Sequence, residues 1–253
     1  MIVTAPPHEP AIRIVGLKKR FGERIVLDEV SFDVAAGEVV ALLGASGAGK
    51  TTLFRCLTRL AQSDGGQVFL GEHAMRALDR RQLSRARSEV GLIFQQFNLI
   101  RRLSALDNVL VGRLGSVPTW RVMLRRFPHR DRQLALAALD RVGMLPYALQ
   151  RADSLSGGQQ QRVAIARALA QCSRFVLADE PVASLDPEAA RSVLTILRDI
   201  ARERMIAVLV SLHQIEFARQ FADRVIGLRA GRIVADRPAA LLAEADHRMI
   251  FAT

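Results

Sequence analysis

Short apolar runs broken by glycines and acidic pairs dominate the first part of the chain. Ile12 to Val15, Val26 to Leu27 and Val30 to Val34 read as brief strands, separated by Gly22 and Glu23, by Asp28 and Glu29, and by Gly37. Turn residues between apolar runs of this length predict an antiparallel edge. Val39 to Leu43 is a compact apolar run ending at Gly44, and Lys50 to Leu60 follows with helical spacing, so the order is strand, Gly-rich loop, helix. Gln67 to Leu70 and Val90 to Phe94 are further strand candidates. Arg132 to Val142 and Gly158 to Gln171 carry helical apolar spacing with arginines on the opposite face. Phe175 to Ala178 is a buried-strand pattern, Pro187 opens a helix reaching about Arg202, and Ile206 to Leu212 is another apolar strand. Strands alternating with helices predict an α/β fold with a parallel sheet. Val225 to Leu228 and Arg232 to Ala235, parted by Arg229 to Gly231, read as a terminal hairpin before a short polar, helical tail. No internal repeat or long linker interrupts the pattern. One domain over residues 1–253 with an inserted helical subdomain at about 97–171 is the economical reading.

Composition adds two limits. Half of the 253 residues are apolar, enough for a sizeable core, yet no unbroken apolar run approaches the roughly 20 residues of a membrane helix. The N-terminal stretch lacks the basic flank and apolar core of a signal peptide, which predicts a protein that stays in the cytoplasm. Cys56 and Cys172 match no metal spacing, and reduced thiols are expected. The net charge of +11 fits polyphosphate ligands, an anionic surface or nucleic acid without ranking them. Lys18, Lys19 and Lys50 are the only lysines, so nearly all of this charge is arginine, which genomic base bias would equally produce.

Three segments carry chemistry. Gly44, Ala45, Ser46, Gly47, Ala48, Gly49, Lys50 and Thr51 match the phosphate-binding loop, in the strand-to-helix context that the pattern requires. Glycines let successive N–H groups face phosphate oxygens, the helix start adds its positive end, and Lys50 supplies a point charge. Thr51 is a candidate Mg²⁺ ligand, and Thr52 extends the phosphate site. Asp179 and Glu180 end the apolar strand from Phe175, Asp179 as a second Mg²⁺ candidate and Glu180 placed to polarise an attacking water. Ser156, Gly157, Gly158 and Gln159 open a further helix with a second anion-accepting end, which a single nucleotide does not require.

Leu155-Ser-Gly-Gly-Gln159, together with the phosphate loop and the Asp179-Glu180 strand end, resembles the signature set of ABC ATPases over about Ile12 to Pro238. The resemblance implies a P-loop NTPase fold with a parallel-sheet core, an antiparallel β subdomain and an inserted helical subdomain. It also implies two copies packed head to tail, the signature of one closing over the ATP of the other. Carried over, Phe21 stacks on adenine and Gln95 senses magnesium and the water. Ser184 and Asp186 lie on the loop that reaches the partner's site, where Asp186 can also cap the helix opening at Pro187, and His213 contacts the γ-phosphate.

Ser211-Leu-His-Gln214 and the Val111-to-Gly115 segment with Pro118 and Trp120 resemble the branch that imports phosphonates in bacteria. That branch implies an ATPase on the cytoplasmic face of the inner membrane, with permease subunits and a periplasmic solute-binding protein as partners. Phosphate, phosphite, amino acid or lipoprotein cargoes belong to alternative branches. A nucleic-acid-associated ABC ATPase is disfavoured, since there is neither a heptad-rich insertion nor a second phosphate loop. Between Arg113 and Arg132, Arg113, Arg121, Arg125, Arg126, Arg130 and Arg132 face one acid, Asp131; such a loop meets a permease or lipid surface, or is simply solvated.

Overall fold

A computed structural model describes residues 10–94, 96–118, 120 and 126–251. Its centre is β3, Val39–Leu43, five residues buried without exception. A strand buried on both faces needs neighbours on both sides, and β3 lies parallel to β8 (Ala207–Leu212) and to β9 (Arg224–Arg229). Beyond β8 come β7 (Phe175–Asp179) and β6 (Val90–Phe94), also parallel, while β10 (Arg232–Pro238) pairs antiparallel with β9 as the expected hairpin. The order is therefore β10-β9-β3-β8-β7-β6.

Alternation along these strands divides the core. Val39, Ala41, Leu43, Val176, Ala178, Val208 and Val210 join one cluster with α5 (Gly157–Ala170), α6 (Pro187–Arg204) and α7 (Ile215–Phe221). Val40, Leu42, Phe175, Leu177, Ala207 and Leu209 join the other, with α1 (Lys50–Leu57) and a second sheet. Successive side chains of a strand point to opposite faces, so each strand contributes to both clusters. The second sheet is antiparallel, with order β2-β1-β4-β5, from β1 (Ile12–Phe21), β2 (Arg24–Val34), β4 (Gly65–Leu70) and β5 (His73–Ala74).

Several boundaries differ from the reading of the sequence, and β1 runs past Val15 to Phe21. Val26–Leu27 and Val30–Val34 are one strand, because Glu29 takes a left-handed conformation (φ 55°) and the register with β1 shifts around it. A bulge absorbs the polar pair without ending the strand. Helix α1 stops at Leu57, three residues early. Thr58 Oγ1 donates back to the Phe54 carbonyl, Arg59 turns at φ 55°, and the Arg87 guanidinium takes up the Thr58 and Arg59 carbonyls. The last helical carbonyls are thus satisfied without another turn.

Helices α3 (Ala105–Val111), α4 (His129–Arg141) and α5 pack on one another and share the first core cluster, while α2 (Arg80–Ser88) precedes β6 and α8 (Glu244–Phe251) covers β9 and β10. The basic segment is not uniformly a solvated surface. Arg113 is turned inward, its Nε donating to Asp131 Oδ1 at 2.8 Å and its Nη1 to the Ala170 carbonyl at 2.9 Å. The two side chains are only 14% and 10% exposed, so Arg113 ties α4 to the end of α5. Arg121 and Arg125 lie outside the described residues.

Replacing Arg113 by Met should lower the unfolding free energy by about 2–4 kcal/mol, since it strands a nearly buried carboxylate. Urea unfolding of R113M and of R113M/D131N checks this; the tie is refuted if the double variant recovers none of the loss.

Candidate functional site

The parallel register brings several strand ends together. Leu43 pairs with Leu212, and Phe94 with Asp179, so the residues that follow each strand emerge at the same carboxyl edge. In an open α/β sheet, ligands bind at that edge. There the order β3-β8-β7-β6 sets the phosphate loop, His213 and the Asp179-Glu180 pair side by side.

The loop from Gly44 to Gly49 wraps the Lys50 side chain. Its ammonium donates to the carbonyls of Gly44 (2.7 Å) and Ala45 (3.2 Å) and stands 3.9 Å from Glu180. Lys50 is 5% exposed, and burial pulls its pKa down against the opposing pull of Glu180 and Asp179. Glycine is needed at two places for different reasons. At Gly44 a Cβ would sit 2.4 Å from the Leu228 carbonyl, and Gly49 takes φ 111° with the Val26 carbonyl 2.8 Å from where a Cβ would be. The β9–β10 turn backs the loop again where the Gly231 N–H donates to the Ala48 carbonyl. Helix α1 starts at Lys50 with no acidic side chain in its first turn, so its free amides face an electrostatically open site.

Beside the loop, His213 Nε2 lies 2.5 Å from Glu180 Oε1. Glu180 adopts a left-handed backbone (φ 51°), a conformation that a residue with a Cβ reaches only when its surroundings hold it. The holder is Ser211, whose Oγ accepts from the Glu180 N–H and donates to Asp179 Oδ1, each at 2.8 Å. Asp179 Oδ2 and the Thr51 hydroxyl have no partner among the described residues, and with phosphate oxygens they suit a hard, oxygen-seeking dication.

Phe21, Arg24, Val26, Ser46, Gly47, Gly49, Lys50, Thr51, Thr52 and Glu180 line a single cleft of about 270 Å³. Phe21 contributes an exposed ring to it. Ser156, Gly157, Gly158, Gln159, Ser184 and Asp186 gather on a different cleft of about 520 Å³. There Ser156 and Gln159 cap the start of α5 reciprocally, and Asp186 caps α6 through Glu188 N and Ala189 N. Neither Gly157 nor Gly158 has a positive φ, and a Cβ on either would meet only ordinary contacts at 3.8 and 3.4 Å. The protomer's own packing does not require these glycines. Gln95 lies outside the described residues, directly after Phe94.

The sequence reading missed Ser211, Arg24 and Val26. Ser211 is a polar residue inside an otherwise apolar, fully buried strand, and that break in the pattern was its signal. Arg24 and Val26 reach the cleft only because β2 folds back on β1 at Phe21–Arg24, which no local pattern announces.

The ABC transporter family model matches residues 27–183. The chain is 49% identical over 240 residues to the hypophosphite import ATP-binding protein of Stutzerimonas stutzeri, covering 94% of this chain and 70% of that one. It is 48% identical over 248 residues to a phosphonates import ATP-binding protein of Cupriavidus pinatubonensis (96% and 88%), and 51% identical over 228 residues to one of Pseudomonas savastanoi (88% and 82%). A solved dimeric ATP-binding cassette, in a post-hydrolysis state bound to ADP and Pi, is similar with a TM-score of 0.77 and 31% identity, covering 90% of this chain and 98% of that one. An ABC transporter cassette from Clostridium perfringens shares the fold with a TM-score of 0.81 at 23% identity, covering 92% and 90%.

Within α1, burial pushes the Cys56 thiol up to about 11, whereas Cys172 is exposed. Because the thiolate is the reactive form, Cys172 should react with a thiol reagent at pH 8 in the native protein and Cys56 only on unfolding. Two equally fast thiols in a native titration would contradict the buried setting of Cys56.

Proposed function

The chain belongs to the ABC transporter family, and from that premise we propose that it is the ATP-hydrolysing subunit of an importer that brings phosphonates into the cell. The observation that carries the mechanism is a cleft lined by both Lys50 and Glu180 and by the exposed Phe21 ring, with His213 in contact with the same Glu180 carboxylate. A nucleoside triphosphate matches that spacing of chemistries, with its base on Phe21 and its phosphates over Ser46, Gly47, Ala48, Gly49, Lys50, Thr51 and Thr52. Arriving phosphate oxygens replace the Gly44 and Ala45 carbonyls as partners of the Lys50 ammonium.

Thr51, Asp179 and Gln95 would hold Mg²⁺, which when bound supplies charge neutralisation to the phosphates. Phosphoryl transfer to water depends on an oriented nucleophile more than on covalent help. Glu180 accepts the proton of that water, and His213, in contact with the same carboxylate, holds it in place and meets the γ-phosphate. Ser211 fixes the backbone from which both acids project.

The second cleft supports a head-to-tail pair of chains. The amides of Gly157 and Gly158 open the first turn of α5 with no hydrogen-bond partner among the described residues, and no acid occupies that turn. They suit the γ-phosphate held by a second copy, with Ser184 and Asp186 reaching the same junction. Among the described residues no helix is long and apolar enough to cross a membrane; in the reading proposed here the translocation path belongs to permease subunits. The helical segment at about 97–171 is the subdomain facing them, a periplasmic binding protein delivers the cargo, and the ATPase works from the cytoplasmic face.

Relatives named for phosphonates import carry the cargo reading. The relative named for hypophosphite import supports a second one, a reduced phosphorus oxyanion. ATP hydrolysis reconstituted with the neighbouring permease separates them. Stimulation by a binding protein loaded with phosphonate, and not with hypophosphite or phosphate, is expected; selectivity for hypophosphite would reassign the cargo and leave the ATPase reading intact.

Glu180→Gln should bind ATP, lose about 100-fold or more in turnover as a general base is removed, and accumulate as a dimer on sizing in ATP. Lys50→Ala should instead weaken ATP binding in calorimetry. Wild-type turnover in the first, or unchanged affinity in the second, would contradict the assigned role.

A further inference from the structure

Lys19 is one of three lysines in a chain whose other cations are all arginines, and its setting differs from that of its neighbour Lys18. The Lys18 side chain is 48% exposed and reaches Glu29 on the surface. The Lys19 side chain is 13% exposed, and its ammonium is held at 3.1 Å by Asp64 Oδ1. Asp64 is itself fixed, its Oδ2 accepting from the Arg20 N–H and its own N–H donating to the Lys18 carbonyl.

From that anchor, Lys19 Nζ stands 5.0 Å from the centroid of the Phe21 ring. Phe21 lines the nucleotide cleft, whereas Lys19 does not. The cation covers one face of the ring, which leaves the opposite face for a stacking base.

An exposed phenylalanine has no hydroxyl with which to fix its orientation. A cation against its π-face fixes it, and draws electron density away from the opposite face, where a π-rich purine stacks. We propose that Lys19, anchored by Asp64, is a positioning residue for the nucleobase, holding and polarising the Phe21 ring from behind. This rests on the reading of Phe21 as the base-stacking residue. The ammonium touches no reacting atom, and its contribution is confined to ligands that carry a base.

The test is titration of the full chain and its variants with MgATP and with magnesium tripolyphosphate, which shares the phosphates and lacks the base. Lys19→Met keeps the aliphatic stem and removes the charge. It should raise the Kd for ATP about two- to fivefold, the strength of a half-exposed cation–π pair. The Kd for tripolyphosphate should stay unchanged, which also reports that the variant is folded. Asp64→Asn, which leaves Lys19 in place and loosens it, should shift ATP in the same direction by less. Phe21→Leu should weaken ATP binding, and Lys19→Met should add nothing in that background. Unchanged ATP binding in K19M would overturn the proposal, as would an equal loss for tripolyphosphate, which would mark a general electrostatic effect on the phosphates. If Phe21→Leu leaves ATP binding unaltered, the base-stacking reading itself fails, an outcome distinguishable from failure at Lys19 alone.

Discussion

Ser211 is the hydroxyl that holds the Asp179-Glu180 end of the candidate site in place. It sits in a six-residue strand buried along its whole length, where an unpaired hydroxyl would be costly. Both of its hydrogen-bonding capacities are spent on the next strand, one on the Asp179 carboxylate and one on the Glu180 N–H. That pairing lets Glu180 occupy a left-handed conformation and turns its carboxylate toward Lys50 and His213. Two acids that follow one another along a strand would ordinarily point to opposite faces. Here the turn at Glu180 and the tie at Asp179 give them separate tasks at one edge of the sheet.

Arginines do comparable work elsewhere, capturing main-chain carbonyls at helix ends and in loops. Arg87 takes those beyond α1, Arg113 takes one at the end of α5, and Arg167 reaches back to Phe97 and Asn98. A guanidinium offers five donors in a rigid fork, enough to satisfy two chain ends at once. A large positive charge in this protein is thus partly an internal fastening between helices and loops. Genomic base bias would account for arginine in place of lysine, but not for these placements.

Much of the site was legible from local pattern, because phosphate recognition needs particular residues at particular spacings on one segment. Gly44 to Thr51 is such a case: close backbone approach at Gly44, positive φ at Gly49 and a lysine opening the helix all lie within eight neighbours. The Asp179-Glu180 strand end was legible for the same reason. What escaped depends on segments distant in sequence. Arg24 and Val26 join the cleft through the fold-back of β2, and Arg113 was read as surface because no local pattern singles it out among its arginine neighbours as the partner of Asp131 or announces the distant Ala170 carbonyl. The continuity of β2 through Asp28 and Glu29 escaped because a bulge lets a strand carry a polar pair that reads as a turn.

The β9–β10 turn adds a mechanical property to the phosphate loop. The Leu228 carbonyl presses where a side chain at Gly44 would be, Gly231 holds the Ala48 carbonyl, and Asp28 holds Gly231 in turn. Braced by two strands from the far end of the chain, the loop is a fixed jaw. A push on the loop is therefore met by the sheet behind it rather than taken up by the loop alone.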